Sequence, residues 1–180
     1  APRAASQDYS KWSPGFLAVF ISNTHHRYAR DHAEIICGLT EKVAARHMVG
    51  HPELNRLAQS IPHFLQNLLN HIDKEEKIVF TAISQAVAKQ ADPSLPAAAG
   101  AGIIEQSALL LQKEHAIILD DLSYFRALTD GYRLPDDACN SYSYLYQPLA
   151  ELENALRQYI RLENDVLFPK ALALEQETAH

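Results

Sequence analysis

Two short stretches of the chain place metal-binding side chains one helical turn apart. His71 and Glu75 are separated by four positions, and so are Tyr159 and Glu163 near the C-terminus. On an α-helix, residues four apart share a face, with about 5–6 Å between their Cβ atoms. Each pair can therefore direct two nitrogen or oxygen donors at one point, which predicts a metal site. A surface His–Glu pair has the same spacing, so one pair alone does not decide the matter.

The residues that follow the two glutamates favour a metal site inside a helical bundle. Ile78-Val79-Phe80 follows Glu75, and Val166-Leu167-Phe168 follows Glu163 at the same distance. Two unrelated surface pairs have no reason to share these apolar residues. We therefore interpret the two stretches as parts of one site.

The composition indicates a single all-α domain. The 180 residues include only 6 glycines, and 47% of the residues are hydrophobic. This length is sufficient for one buried core, and the abundance of Leu, Ala, Glu, Gln and Lys favours helices. The two cysteines, Cys37 and Cys139, form no metal-binding or redox motif and are expected to be buried free thiols.

The net charge argues against nucleic acid and anionic membranes as partners, and the hydrophobic pattern argues against a membrane-spanning helix. A formal net charge of -6 argues against nucleic acid and against anionic membranes as partners. The apolar run at 16–21 is too short to cross a bilayer. We expect a cytoplasmic protein, with the removal of a leader before Ala1 left open.

Proline, glycine and the apolar periodicity divide the chain into four predicted helices. The predicted bounds are 14–47, 53–90, 101–129 and 137–174. A kink or a restart is expected at Pro62, because proline removes a backbone donor and clashes with the preceding turn. Short connections predict an antiparallel, up-down-up-down four-helix bundle. The predicted domains are an irregular arm over 1–14, the bundle over 15–175 and a tail over 176–180.

In such a bundle, polar residues on the inner faces of the four helices can meet at one level. The candidate metal ligands are His25, His71, Glu75, His115, Tyr159 and Glu163. Mixed imidazole and carboxylate donors suit iron or manganese, whereas zinc more often takes fewer ligands or thiolates. Two carboxylates on neighbouring helices can bridge two cations about 3.5–4 Å apart, so we predict a binuclear centre.

These residues also carry a resemblance to a known family. The stretches concerned are His25 in THHRY at 24–28, the HxxxEE run at 71–76, Glu114-His115 and the LENxxLFP run at 162–169. They resemble the hemerythrin-like HHE domain, and most of all its iron–sulfur-cluster repair proteins, over about residues 18–174. The resemblance implies a bundle with a non-haem di-iron centre. The iron ligands that it implies are His25, His71, Glu75, His115 and Glu163, with the two glutamates bridging the irons.

Tyr159 stands where the family pattern has its fourth-helix histidine, and three interpretations are open. Its phenolate is a ligand of ferric iron, which predicts a phenolate-to-iron charge-transfer band. Alternatively, the side chain turns away and leaves a coordination position for nitric oxide, dioxygen or water. In the third interpretation the site has degraded, and Tyr159 is a core aromatic with a hydrogen-bonded hydroxyl.

Three further polar residues are given other roles. His26 should point about 100° away from His25, so we expect it beside the ligands on their outer side or at the surface. Glu114 is expected to be a solvated acidic residue, with an acceptor for a ligand histidine or a proton relay as the alternative. His47 lies about 33 Å from His25 along a continuous helix, which excludes both from one centre.

The resemblance implies a stress-response protein whose di-iron centre binds nitric oxide or dioxygen. Its implied partners are iron–sulfur proteins, whose damaged clusters it would help to restore. A di-iron oxidase or peroxidase-like enzyme is one alternative, and a structural bundle that has lost its metal is another. We favour metal-dependent binding over classical enzyme activity, and no catalytic residue is assigned.

Overall fold

The computed structural model describes residues 8–47, 49–96 and 102–179, and every regular element within these ranges is helical. Apart from a 3₁₀ turn at Tyr9–Lys11, the helical elements join into four long stretches. Their parts are α1 (Pro14–Ile21), π1 (Ser22–His26) and α2 (Arg27–His47); α3 (Pro52–Lys74), π2 (Glu75–Phe80) and α4 (Thr81–Ala91); α5 (Ile103–Leu128); and α6 (Asn140–Leu162), π3 (Glu163–Leu167) and α7 (Phe168–Thr178). None of the described helices is long and apolar enough to cross a membrane.

The stretches pack as the predicted four-helix bundle, which confirms the all-α fold class. Helix α2 packs against α3 and α6, α4 packs against α7, and α5 packs against α3 and α7. The apolar stripes of these helices meet in one core. Burying each large aliphatic side chain contributes about 1.5–3 kcal/mol. The core includes the fully buried residues Leu17, Ile21, Ile36, Leu54, Leu57, Ile61, Leu68, Ile72 and Ile83.

The helix ends agree with the sequence prediction where local capping determines them. The first stretch begins at Pro14, because the Ser13 hydroxyl accepts a hydrogen bond from the N–H of Phe16 at 3.3 Å. The predicted restart at Pro62 is not observed, since this proline lies inside the single α-helix Pro52–Lys74. The last stretch continues past the predicted end at 174 to Thr178. Residues 1–7 of the predicted arm lie outside the described residues.

A carboxylate from the fourth stretch caps the third. Glu175 accepts hydrogen bonds from the N–H groups of Ile104 and Glu105, at 2.9 Å and 3.1 Å. The first N–H groups of a helix have no partner within it, and Gly102 supplies no side chain to cap α5. Glu175 therefore fixes the start of α5 against α7, and α5 carries one residue of the polar cluster described next.

Candidate metal centre

The π-helical segments of the described chain lie at one buried polar cluster. Segment π1 ends at His26, π2 begins at Glu75 and π3 begins at Glu163. A π-helical turn closes with i→i+5 hydrogen bonds, so it changes the face on which the following side chains lie. Such turns occur frequently at functional sites. Here they direct side chains of three long stretches towards the centre of the bundle.

Three histidines from three different stretches direct their Nε2 atoms into this cluster. Each donates from Nδ1 to an oxygen outside the cluster, which leaves the lone pair on Nε2 facing inward. The Nδ1–oxygen distances are 2.7 Å from His26 to Glu76, 2.8 Å from His71 to Glu114 and 2.8 Å from His115 to Asn164. This arrangement is typical of histidines that bind metal ions.

Two fully buried carboxylates, Glu75 and Glu163, complete the cluster. His26 Nε2 lies 3.3 Å from Glu75 and 3.8 Å from Glu163, and His115 Nε2 lies 3.1 Å from Glu163. These approaches lack hydrogen-bond geometry: within the described residues, the four carboxylate oxygens and His26 Nε2 have no hydrogen-bond partner. An unpaired buried charge costs several kcal/mol. A bound cation would satisfy all five atoms.

The donor atoms form two groups of three that share Glu163. One group is His71, His115 and Glu163, and the other is His26, Glu75 and Glu163. His71 Nε2 and His115 Nε2 are 3.1 Å apart. Two nitrogen lone pairs this close repel each other unless a proton or a cation lies between them. Metal–imidazole bonds are about 2.0–2.1 Å long, so both nitrogens can bind one cation.

Burial disfavours every charge that the cluster can carry by itself. Desolvation, and then the negative charge of Glu163, raises the pKa of Glu75 to about 8. Desolvation also raises the pKa of Glu163. Desolvation, and then the positive charge of His115, lowers the pKa of His71 to about 4. A bound cation would favour the charged form of the two carboxylates and the neutral form of the imidazoles, because these are the forms that bind a metal ion.

Titration of Glu75 should destabilise the metal-free protein by about 2 kcal/mol, relative to Glu75→Gln, as the pH rises from about 6.5 to about 8. Over this range folded Glu75 holds a proton that the unfolded chain has already lost, so the folded state binds more protons and rising pH favours unfolding. The raised pKa of His115 acts in the same direction. The lowered pKa of His71 acts in the opposite direction, but only below its ordinary value of 6.5. Urea unfolding of chelator-treated protein at the two pH values measures the difference.

Metal-free Glu75→Gln is the control for this prediction, because a glutamine has no proton to lose. Its stability should change much less between the two pH values. An equal decrease in the variant and the unmodified chain would place the titrating group elsewhere and contradict the prediction.

The outer hydrogen-bond partner of His26 is itself tightly held. Glu76 accepts from Ser22 at 2.8 Å and from both terminal nitrogens of Arg30, at 2.9 Å and 3.0 Å. Desolvation opposes ionisation of Glu76, but the hydrogen bonds from Arg30, His26 and Ser22 outweigh it and lower the pKa to about 2. Glu76 therefore stays a carboxylate and holds the His26 ring in one orientation.

The phenylalanines among the apolar residues repeated after the two glutamates pack on histidines of the cluster. Phe80 stacks on His26, with the ring centroids 5.4 Å apart and the planes at 6°. Phe168 stacks on His115 in the same way, at 5.9 Å and 6°. Each phenylalanine lies five positions after one glutamate of the cluster. The repeated sequence thus supplies both a carboxylate and the wall that shields a histidine from water.

Four of the predicted ligands lie in the cluster, namely His71, Glu75, His115 and Glu163. The hydroxyl of Tyr159, a fifth, lies 3.1 Å from His71 Nε2 and is buried beside the same group. Glu114 contacts His71 and Lys74. Its position supports the alternative of an acceptor for a ligand histidine, and the expectation of a merely solvated residue is wrong.

His25 and His26 differ from the sequence prediction. The structure does not bring His25 into either donor group; its partly buried ring stacks on Tyr159 at a centroid distance of 5.9 Å. His26, expected on the outer side or at the surface, is fully buried with Nε2 in the cluster, so that expectation is wrong. No signal in the local sequence distinguishes His26 from His25, because Glu76, the acceptor of the His26 Nδ1 hydrogen bond, lies 50 positions away.

Comparison with known proteins identifies the family to which the chain belongs. The family described as "Hemerythrin HHE cation binding domain" matches residues 19–171. The chain belongs to this hemerythrin HHE family. The resemblance noted in the sequence is thereby confirmed, and the donor atoms collected above lie inside a domain of a cation-binding family.

Curated relatives of this HHE chain include repair proteins. Two of them are named "Iron-sulfur cluster repair protein YtfE", one from Yersinia pestis (strain Pestoides F) and one from Yersinia pseudotuberculosis serotype O:1b (strain IP 31758). Each is 27% identical over 168 residues, which is 93% of this chain and 70% of the relative.

Proposed function

We propose that this HHE domain binds a pair of iron ions in the polar cluster. His71, His115 and Glu163 would hold one ion, and His26, Glu75 and Glu163 would hold the other, with Glu163 shared between them. The observation that carries the proposal is the set of three Nε2 atoms aimed at two carboxylates without hydrogen-bond partners. Mixed nitrogen and oxygen donors of this kind suit iron.

We further propose that the loaded centre binds a diatomic molecule, nitric oxide or dioxygen. A ferrous pair would supply the electron density that such molecules accept. The protein side chains restrict what reaches it, because the three histidines of the cluster are at most 2% exposed. A cavity of about 240 Å³ lies beside the cluster and is lined by His71, Lys74, Glu114 and Ile117, among others. This cavity is the proposed entry path.

Glu114 is positioned to move a proton between this entry path and the cluster. It accepts a hydrogen bond from His71 Nδ1 at 2.8 Å and pairs with Lys74, whose side chain is 46% exposed. Glu114 thus connects a buried imidazole to a side chain in contact with solvent. Its role would be to hold the His71 tautomer and to accept or return a proton at Nδ1.

The biological role proposed for this binding is a response to nitrosative or oxidative stress. The names of the two Yersinia relatives support iron–sulfur proteins as partners and repair of their clusters as the outcome. We propose a cytoplasmic binding protein in preference to a classical enzyme, and the burial of the donor set supports this preference.

Titration with nitric oxide tests this function. Chain reconstituted anaerobically with ferrous iron should show an absorbance change that saturates at a fixed ratio of nitric oxide to iron. His71→Ala should reduce both the bound iron and the amplitude, because it removes a donor from one group. His63→Ala, which changes a histidine outside both donor groups, should leave both unchanged. Iron retained without any response to nitric oxide or dioxygen would overturn the proposed ligand class.

A further inference from the structure

A histidine and a cysteine form a pair where α2 ends and α6 begins, away from the metal cluster. His47 is the last residue of α2, and Cys139 immediately precedes α6. His47 Nε2 and Cys139 Sγ are 2.9 Å apart. His47 follows His26 by 21 positions, which is about 30 Å along the helix, so this pair is separate from the metal cluster. The thiol is free and partly exposed, and the expectation that it is buried is wrong.

The surroundings of Cys139 favour its thiolate. Desolvation opposes ionisation, but His47 and the N–H groups of Ser141 and Tyr142 outweigh it, and the pKa of the thiol falls to about 7. These N–H groups belong to the first turn of α6; the N–H of Tyr142 donates to the Cys139 carbonyl oxygen at 2.9 Å, and the Cys139 side chain forms no capping bond. The positive end of a helix and a neighbouring histidine are two of the features that activate cysteines in proteins.

Cys37 provides a contrast within the same chain. It is also a free, partly exposed cysteine, but no histidine is hydrogen-bonded to it in the described residues. Desolvation, together with the negative charge of Glu41, raises the pKa of the Cys37 thiol above its ordinary value of 9.0. At neutral pH the two thiols should therefore differ strongly in reactivity, although both are partly exposed.

We propose that Cys139 and His47 form a thiolate–imidazolium pair that reacts with hydroperoxides. The sulfur attacks the terminal peroxide oxygen, an S–O bond forms and the O–O bond breaks. The thiolate is oxidised to a sulfenic acid, and the peroxide is reduced to an alcohol, or to water when the reagent is hydrogen peroxide. The leaving oxygen takes the proton from His47 Nε2, so the imidazole ends neutral and the charges balance.

The acidic groups near the pair are hydrogen-bonded to His51 and Tyr142. His51, in the connection that follows α2, lies 3.1 Å from Glu53 and 3.0 Å from Asp137. The Tyr142 hydroxyl donates to Glu53 at 3.0 Å, and its ring packs against both histidines. The acidic groups Glu53 and Asp137 are therefore engaged by other partners, which leaves the thiolate as the anion nearest to His47 Nε2.

Alkylation of the iron-loaded protein by iodoacetamide, followed by mass spectrometry, tests the pair. At pH 7 a thiol with a pKa of about 7 is about half ionised, and one at the ordinary value is about 1% ionised. Nucleophilicity falls as the pKa falls, which reduces this advantage. Cys139 should still react at least about fivefold faster than Cys37. In His47→Gln the midpoint of the Cys139 rate profile should rise by about one pH unit, while the Cys37 rate stays the same.

A sulfenic-acid trap tests the peroxide step in the same loaded protein. One equivalent of hydrogen peroxide should label Cys139, and the label should fall severalfold in His47→Gln and disappear in Cys139→Ser. His63→Gln, which changes a histidine elsewhere in the bundle, should label as the unmodified chain does. Oxidation that starts at the iron site would label Cys139 independently of His47. That result would overturn the proposal, and so would equal alkylation rates for Cys37 and Cys139.

Discussion

Glu163→Ala should lower the iron content from about two ions per chain to fewer than one, whereas Glu75→Ala should retain about one. The reason is that Glu163 belongs to both donor groups and Glu75 belongs to one. Without Glu163 each group loses the carboxylate that the two share, and Glu75 is the one carboxylate left in the two groups. Without Glu75 the group of His71, His115 and Glu163 stays intact. The measurement is iron counting after anaerobic reconstitution with ferrous iron.

Glu153→Gln is a matched control for this experiment. Glu153 is also fully buried and lies on the same long stretch as Glu163, but it pairs with Arg126 at 2.9 Å and Arg157 at 2.7 Å. The variant should keep its iron even if its stability decreases. Circular dichroism would verify that each variant is folded. Full iron content in Glu163→Ala would show that this carboxylate is not shared and would contradict the arrangement proposed here.

The bundle itself could be predicted from the sequence because its signals are local. Ser13 and Pro14 mark the first helix start, and the apolar stripes repeat at helical spacing. The end of the last helix was less well predicted, because residues up to Thr178 are helical without a local stop signal. At Pro62 the sequence predicts a kink or a restart; no restart occurs, and Ile61 and Phe64 on either side of this proline pack in the core of one continuous α-helix.

The choice between His25 and His26 depends on helical phase, which the sequence does not determine. A regular α-helix from Pro14 places consecutive residues about 100° apart, so only one of the two can face the cluster. Segment π1 alters this phase within its five residues, Ser22–His26. Nothing in the local sequence indicates that a π turn forms there. The pairing of His26 with Glu76, 50 positions away, becomes visible only in the fold.

The repeat of apolar residues was recognised in the sequence, but its function was not. In the sequence, Phe80 and Phe168 indicate that two stretches belong together; in the structure, each ring is stacked on a cluster histidine. A sequence pattern also does not reveal contacts between positions that are far apart in the chain.

His47 and Cys139 are 92 positions apart, and neither belongs to a recognisable motif. Their pairing follows only from the packing of α2 against α6.

The ferric-loaded protein should be coloured by a phenolate-to-iron charge-transfer band, and Tyr159→Phe should remove that band. The Tyr159 hydroxyl lies 3.1 Å from His71 Nε2, beside the donor group that His71 shares with His115 and Glu163. Desolvation, and then the charges of Glu163 and Glu75, raises the pKa of Tyr159 well above its ordinary value. A metal ion is thus required to form the phenolate at neutral pH. Absorbance spectra before and after loading measure the effect.

Two further variants, Tyr142→Phe and Tyr159→His, test whether Tyr159 is an iron ligand or only a packing residue. Tyr142 is another fully buried tyrosine, but its hydroxyl donates to Glu53 at the far end of the bundle, so Tyr142→Phe should keep the band. Tyr159→His replaces an oxygen donor with a nitrogen donor, so it should keep the iron and lose the band. If the unmodified chain holds about two ferric ions without a band, the hydroxyl serves only as a hydrogen-bond partner of His71. Ligation by Tyr159 would then be wrong, while the assignments of His71, His115 and Glu163 would be unaffected.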